Sequence, residues 1–439
     1  MLTLVRGLSR AGWGLADQAL SSLTNFALGV FVARTVGIEE FGAFSLVFAA
    51  YLLVMSVCRA YPMEPLQIRY SGTPDDVIRA AARRAVGSVF AIGVASSVVV
   101  LPIALVLGGR LGGTLLALAL TMPGLLVQDA WRSVFFAWHR GRSAFVNDLL
   151  WAIAMAAGLV WLASTGDGTS VTATLVWGTS ATIAAVAGMW QARVIPDPSR
   201  VLDWWREHID LGPRFIAEAL SRLAGGQLAV YGIGAAAGLA ALGSLRAAQL
   251  VVGPVQILFL GIGLIAVPEG VRALARSRDR LVWLAIVMSV GLSLAGLAWG
   301  MIALLLPADI GSLILGNAWG PAQEVLVPVI VGQLGTLAAS GAAMGLRTLA
   351  AARRSLRANL IVSSLIVALG IGGAIALGTL GAAWGLAVAS LLGTVVWWKA
   401  FRDELRSRPT RETSAVPAVQ PDGGTSGALG GRVGPGNPH

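Results

Sequence analysis

Long apolar runs separated by short charged stretches dominate the chain. Segments without a charged residue cover 18–33, 41–58, 85–109, 111–128, 149–166, 168–192, 223–245, 247–268, 281–308, 325–346 and 358–398. A helix crossing the hydrocarbon layer takes about 20 residues. Ten of these runs fit one crossing each, the two shortest by borrowing polar neighbours. The last is long enough for two crossings and breaks naturally at Leu377-Gly378-Thr379-Leu380-Gly381. Continuously apolar runs favour helices, because a barrel would alternate. The pattern predicts an all-α integral membrane protein of about twelve transmembrane helices.

The segments between and beyond the runs divide the chain further. Residues 1–195 hold six predicted spans and 214–400 hold six more. Residues 196–213 place Val201, Leu202, Trp204, Trp205 and Ile209 among charges, which predicts a short amphipathic linker at the cytoplasmic interface. Residues 401–439 are expected to form a cytoplasmic tail, disordered over the Pro-, Gly- and Ser/Thr-rich stretch from 409. Arg6 and Arg10 precede an apolar run as in a signal peptide. Asp17, Gln18 and Asn25 interrupt it, however, and no A-x-A-like site follows, so it reads as the first membrane helix. Most Trp residues, among them Trp13, Trp138, Trp190 and Trp397-Trp398, are expected near span ends as interface anchors.

The two halves match in order. Ala19-Leu20-Ser21-Ser22-Leu23 parallels Ala219-Leu220-Ser221-Arg222-Leu223, and Gly42-Ala43-Phe44 parallels Gly243-Ser244-Leu245. Pro62 and Glu64 end span 2 as Pro268-Glu269 end span 8, and Arg142-Ser143 with Asn147 parallels Arg354-Ser355 with Asn359. Four matches favour a duplicated six-helix unit. An even number of spans per copy puts the pseudo-twofold axis along the membrane normal, with the substrate site between the halves.

Charge then sets orientation. Of 32 basic residues, 26 lie at the termini or in even-numbered loops; only Arg34 and Arg110 lie in odd ones. That asymmetry places both termini in the cytoplasm. It also accounts for the net charge of +10 without a nucleic-acid partner, since the clusters sit beside anionic headgroups.

Composition excludes whole classes. The chain is 56% hydrophobic and 12% charged, against about 25% charged in soluble domains. One cysteine, Cys58, rules out internal disulfides, and three scattered histidines rule out a His-built metal centre. No cofactor or metal is expected. No phosphate-binding loop or D-x-D motif occurs. Gly232-x-Gly234-x-x-Ala237 and Gly261-x-Gly263-x-x-Ala266 lie in apolar runs and read as helix-packing motifs. The longest outside loop, about 307–323, is too short for a catalytic domain. An enzyme is not expected; an ion-gradient-driven transporter fits what remains.

Ionisable groups inside spans are costly and usually face a polar interior. Asp17, Ser21 and Asn25 form one stripe on span 1, and Arg214, Glu218 and Arg222 form the equivalent on span 7. Arg59 lies in span 2, Asp129 and Arg132 in span 4, and Arg246 and Gln249 at the start of span 8. In one reading Arg59, Arg132, Arg222 and Arg246 hold an anion, because guanidinium grips phosphate oxygens in two-pronged fashion. In the other, arginines and acids only neutralise each other, with Asp129–Arg132 and Glu218–Arg222 at the spacing of internal pairs. Asp17, with no basic residue within a turn, is the candidate for proton- or cation-linked coupling. Asn25, Asp129, Glu218 and Gln249 are further polar cavity candidates.

The segments Leu15-Ala16-Asp17-Gln18-Ala19-Leu20-Ser21-Ser22-Leu23-Thr24-Asn25-Phe26, Ala33-Arg34-Thr35-Val36-Gly37 and Glu40-Phe41-Gly42-Ala43-Phe44-Ser45-Leu46 resemble the opening of bacterial polysaccharide-biosynthesis membrane proteins. These are O-antigen-type oligosaccharide-lipid flippases of the multidrug/oligosaccharidyl-lipid/polysaccharide exporter (MOP) superfamily. The resemblance implies two pseudo-twofold six-helix bundles working by alternating access. It implies a polyprenyl-diphosphate-linked oligosaccharide as substrate, H+ or Na+ as coupling ion, and glycosyltransferases and a polymerase as pathway partners. A multidrug/cation antiporter and a non-transporting scaffold for envelope assembly are the alternative expectations.

Overall fold

The computed structural model describes residues 2–407, with side chains described for all of these except 2–11, 222, 224 and 256–265. Ten long helices and several short ones make up the described chain. Two of the long helices are broken internally, which yields twelve rods. In order they are α1 (Leu2–Thr35), α2 (Ile38–Cys58), α3 (Asp75–Leu107), α4 (Gly109–Ala137), α5 (Gly141–Thr165), α6 (Ser170–Ala192), α7 (212–237), α8 (239–276), α9 (Arg278–Leu304), α10 (Trp319–Thr348), α11 (352–376) and α12 (379–407). Rods α1–α6 form the N-terminal bundle and α7–α12 the C-terminal one. Among the described residues, nine helices are long and apolar enough to cross a membrane. Large apolar side chains face outward along them, as at Val106 and Leu105 on α3 and Leu294 on α9. Water would not tolerate a belt of that extent; lipid does. The protein is a multi-pass membrane protein.

The two internal breaks have backbone causes. Leu377 leaves the helical region and Gly378 takes a positive φ of 59°. The break falls within the expected five residues. Gly238 has φ 85° and ψ 174°, a conformation open to glycine, and the chain turns there. Charge spacing places this turn at about residue 246. The true turn is eight residues earlier, because backbone geometry and not charge ends α7. Arg246 is thereby moved from the start of α8 to two turns inside it.

Helices within each bundle are stitched by indole and hydroxyl donors to backbone carbonyls. Trp131 Nε1 on α4 donates to the Ala185 carbonyl on α6 at 2.9 Å. Trp398 Nε1 on α12 donates to the Ala338 carbonyl on α10, also at 2.9 Å. Such bonds satisfy the indole N–H, which finds no partner in hydrocarbon. They also revise the expected placement of tryptophans. Trp190 stands exposed as an anchor, but Trp138 is buried, and Trp131, Trp177 and Trp204 are fully enclosed. Trp131 packs inward onto a carbonyl of the neighbouring helix. Trp138 has the Arg140 guanidinium 4.8 Å from its ring centroid.

The linker folds as a 3-10 turn, Pro198–Arg200, and a short helix, Val201–Glu207. Its Trp204 is fully buried, with the Tyr70 ring tilted against it at 5.7 Å and the Arg84 guanidinium 5.4 Å from its ring. Glu207 accepts from Tyr70 Oη at 2.9 Å and from Arg84 at 2.6 Å. Partial burial works to raise its pKa, but these two donors outweigh it and hold the carboxyl below its ordinary value. Burial lowers the His208 pKa, so the ring is neutral, and its Nδ1–H donates to the Trp204 carbonyl at 2.9 Å. The linker is thus fastened to the N-terminal bundle, while Leu202 and Ile209 stay exposed. At the other end of the chain α12 continues to Ser407, so residues 401–407 are helix and not tail. The rest of the expected 401–439 tail, including the stretch from 409 expected to be disordered, lies outside the described residues.

The bundles meet at the end of the molecule that holds the arginine-poor loops. Here α2 and α8 cross with their backbones in contact. A Cβ on Gly42 would strike the carbonyl of Leu239, and one on Gly243 would strike the carbonyl of Ile38. The contact is reciprocal in register: each glycine is four residues past the first residue of its own helix and meets the first residue of the other. Two residues paired in the internal repeat therefore form the pseudo-twofold contact itself. Gly316, from the segment before α10, adds a third close approach against the backbone of Arg34.

Gly42→Ala or Gly243→Ala therefore overpacks this crossing at a cost of about 1–3 kcal/mol. The cost falls on the conformation in which this end is closed. In a Cys58→Ala background, Gln249→Cys should then be alkylated faster by an impermeant maleimide added from the arginine-poor side. Unchanged labelling from both sides would show that the crossing does not control closure.

Candidate functional site

Below the glycine crossing the bundles enclose two cavities that share a wall. The larger, about 390 Å3, lies in the C-terminal bundle against α2. The smaller, about 150 Å3, lies inside the N-terminal bundle. Helix α2 passes between them. Ser45, Phe48, Ala49 and Leu52 face the larger cavity, while Phe48, Tyr51, Leu52, Met55 and Arg59 face the smaller. Phe48 and Leu52 thus form the partition. Tyr51 meets Trp177 edge-on at 4.8 Å, which props the partition from behind.

The smaller cavity is ionic. Arg59 leaves α2 at the start of a five-residue π-helical turn, Arg59–Met63, that contains Pro62. Pro62 lacks an N–H and would press on the carbonyl a turn earlier; the wider π turn absorbs both problems. From there Arg59 grips Asp129 of α4 with two parallel bonds, Nε to Oδ2 at 2.8 Å and Nη2 to Oδ1 at 2.5 Å. Arg132, one turn along α4, points the other way. Its Nε donates to Asp17 Oδ2 of α1 at 2.6 Å, and its Nη2 donates to Asp148 Oδ2 of α5 at 2.9 Å. Gln128 Nε2 donates to the second oxygen of Asp148 at 2.8 Å. Asp17 Oδ1 is buried with no hydrogen-bond partner in the protein. Three carboxyl groups share two guanidinium groups, so one carboxyl has no cation of its own.

This network corrects the sequence-based pairing. Asp129 and Arg132 have the right spacing for each other, yet neither takes the other. Arg132 bridges to α1 and α5 because two buried carboxylates there have no other cation, and the cost of an unpaired charge in lipid outweighs a local i,i+3 contact. Asp17 lacks a cation on its own helix and finds one 115 residues away. Asp148 was missed, because it lies just before the apolar run 149–166 and read as a loop residue. Its spacing from Trp151 and Met155, both buried, marks the face that carries it inward. Asn25 lines the same cavity, with its Nδ2 donating to the Ser21 carbonyl at 2.9 Å.

The larger cavity is different in kind. Arg246 enters it from α8, joined by Gln227, Gln249, Gln333, Thr336 and Ser390. The Arg246 guanidinium lies 5.6 Å from the centroid of the Phe48 ring. Among the described residues no carboxylate lines this cavity or pairs with Arg246. Glu218, expected at the site, is exposed and lines neither cavity, because α7 turns that face away. The side chain of Arg222 lies outside the described residues. Among the described residues no group of His, Cys, Asp or Glu is placed to hold a metal ion.

No protein-family model matches the sequence, and no curated protein is recognisably related to it. Solved structures do match in three dimensions. An inward-facing multidrug-resistance transporter of the MATE family, in the MOP superfamily, superposes with a TM-score of 0.72 at 14% identity, over 90% of this chain and 96% of that one. The lipid II flippase MurJ in an inward closed conformation superposes with a TM-score of 0.69 at 10% identity, over 91% and 88%. A MOP transporter from Pyrococcus furiosus, whose reversed pocket polarity suggests a different function, gives 0.56 at 13% identity, over 89% and 93%. The likeness runs over about nine-tenths of the chain: this protein has the fold seen in these MOP-superfamily transporters.

Proposed function

We propose that the protein is a flippase carrying a polyprenyl-diphosphate-linked oligosaccharide across the bacterial cytoplasmic membrane by alternating access, driven by an H+ or Na+ gradient. Surface polysaccharide synthesis is the process it serves, with the glycosyltransferases and polymerase of that process as partners. The observation that carries this reading is Arg246, a guanidinium in a roomy cavity at the bundle interface with no carboxylate among the described residues to neutralise it. A charge at the bilayer centre costs about 2.5–3.5 kcal/mol on insertion scales. One kept without a counter-charge there fits a ligand that brings its own. A diphosphate does so, and its two-pronged geometry suits guanidinium.

Arginine asymmetry puts the arginine-rich end in the cytoplasm. The close backbone crossing lies at the opposite end, which supports a reading in which the load is taken from the cytoplasmic leaflet. The smaller cavity supplies the coupling. Its surplus carboxyl and the unpartnered Asp17 Oδ1 form a place for a proton or small cation. The same surplus favours a second reading, a cation antiporter, in which the smaller cavity receives the substrate.

Arg246→Ala should reduce lipid-linked glycan translocation in proteoliposomes at least tenfold with normal protein levels, and Arg246→Lys should restore part of it. Undiminished translocation by both variants removes the substrate role. Asp17→Asn should leave substrate binding intact but make transport insensitive to the imposed ion gradient. If it instead abolishes drug efflux in a sensitised strain, the antiporter reading holds. Arg59→Ala strands Asp129. Because Arg59 is 45% exposed, the loss should be on the order of 2 kcal/mol, less than for a fully buried pair. Adding Asp129→Asn should recover thermal stability; no recovery would mean that Arg59 acts other than through this pair.

A further inference from the structure

We infer that Tyr61 is a positioning residue, through which the start of α7 keeps Arg59 on Asp129. The inference rests on the ion-coupled reading above and names the route by which the position of the C-terminal bundle reaches the ionic cavity. Three sets of contacts form the route.

First, α7 begins on Tyr61. The linker is held to the N-terminal bundle almost to its end. Asp197 N–H donates to the Arg83 carbonyl at 3.0 Å, and a Cβ on Gly87 would strike the Asp197 backbone. Arg69 donates to the Glu207 carbonyl at 3.0 Å and to Asp210 Oδ2 at 2.5 Å. Two residues later Gly212 opens α7, and a Cβ there would strike the Tyr61 ring. Gly212 is buried, whereas residues 213–218 are exposed or half-buried. The base of α7 is thus open around a single buried residue, and that residue sits on an aromatic ring of the other bundle.

Second, Tyr61 belongs to the turn that aims Arg59. It lies in the π turn Arg59–Met63, two residues after Arg59. The Glu64 N–H closes this turn on the Arg59 carbonyl, five residues back. Tyr61 Oη donates to the Trp205 carbonyl of the linker at 3.0 Å, and the two rings lie 5.3 Å apart. Relaxation of the π turn to an α turn would swing Arg59 by about 100° relative to the helix beyond it. The Tyr61 ring, tied to the linker and covered by Gly212, resists that swing.

Third, Arg59 has room to leave and Asp129 does not. Arg59 lines the smaller cavity with 45% of its side chain exposed, against 11% for Asp129. Without Arg59, Asp129 depends on Arg132, one turn along α4, which already serves Asp17 and Asp148. Three carboxyl groups would then share one guanidinium, and the cavity would call for a cation. While α7 rests on Tyr61 the ionic clamp stays shut. When the bundles rock and α7 leaves the ring, the demand for an ion rises, so bundle position and ion uptake are linked through one side chain.

Full-length protein in nanodiscs carries its own reporter. Cys58, its one thiol, directly precedes the π turn and is 3% exposed. Any rearrangement of the turn should speed its alkylation by N-ethylmaleimide. Gly243→Ala, which biases the bundles from the C-terminal side, should raise the Cys58 rate at least fivefold. Tyr61→Phe, which keeps the ring, should preserve that response. Tyr61→Ala should react fast by itself, and adding Gly243→Ala should change its rate less than twofold. Gly212→Ala, which pushes on the ring and removes nothing, should raise the rate at least threefold and serves as the second variant should Tyr61→Ala lose its fold. A Tyr61 that only stabilises the fold would lower the melting temperature and leave the response to Gly243→Ala intact. No response in the otherwise native chain, a fivefold response retained in Tyr61→Ala, or an unchanged rate in Gly212→Ala overturns the positioning role. In proteoliposomes, a Na+ or proton gradient imposed at fixed pH on the probe side should change the Cys58 rate at least threefold. A rate that follows Gly243→Ala through Tyr61 but follows neither gradient overturns instead the ion-coupled reading beneath, and leaves the positioning role standing.

Discussion

Charge in a low-dielectric interior has to be compensated, and the distribution of compensated and uncompensated charge organises this molecule. In the N-terminal bundle the rule is met by helices that are distant in sequence. Arg59 of α2 closes on Asp129 of α4, and Arg132 of α4 bridges Asp17 of α1 and Asp148 of α5. Four helices are thereby tied around one small cavity. Breaking such a pair strands the survivor, which is why the network acts as a structural clamp as well as an ionic site. The C-terminal bundle has no such clamp around its cavity among the described residues. Its one cavity guanidinium faces glutamines and hydroxyls. The duplicated halves have kept their architecture and divided their chemistry.

The division is set along a single helix. At its first turn α2 carries Gly42, where its backbone meets that of α8. One to three turns on, Ser45, Phe48 and Leu52 wall the larger cavity. Further along, Tyr51, Met55 and Arg59 wall the smaller, and the π turn at Pro62 ends the run. Phe48 faces both cavities, with the Arg246 guanidinium on one side and the Tyr51–Trp177 pair behind. A rigid helix that touches the inter-bundle contact, the neutral cavity and the ionic cavity cannot shift at one of them without moving the others.

How much of this could be read from residues alone depended on the range of the interaction. Span number followed from apolar length, and the break at Leu377-Gly378 followed from local composition. The break at Gly238 did not, because glycine is common in this chain and only its φ distinguishes this one. Asp17, Asn25, Asp129, Arg59 and Arg132 were recognisable as polar residues in apolar spans; the last four line one cavity, and Asp17 is buried beside it on Arg132. Their partners were not recognisable. Helical spacing suggests neighbours on one rod, whereas pairing in lipid is decided between rods. Asp148 escaped because a boundary drawn at the first charged residue assigns that charge to a loop. The repeat was legible in Gly42 and Gly243, although only the coordinates reveal that those two positions touch each other's helices. Asn147 and Asn359 make the opposite point. They match in the repeat, yet the first donates to Ala184 and the second to Ser221, so equivalence of position did not carry equivalence of bonding.

The reciprocal glycine contact gives the pseudo-twofold axis a mechanical meaning. When the same backbone approach is made twice, once from each repeat, closure at that end has two matched backbone contacts, set among apolar side chains such as Leu250 against Gly29 and with no ionic partner to break. The ionic clamp is the opposite kind of contact: specific, long-range in sequence and confined to one bundle. Motion is therefore expected where the contacts are glycine on carbonyl, and rigidity where they are guanidinium on carboxylate. The cavities lie between these two regions, with α2 as their common wall. Loading either cavity alters packing against Phe48 and Leu52, on the same helix that closes the far end. Ligand and ion can then influence one another without contact between them, provided that each favours a different position of α2.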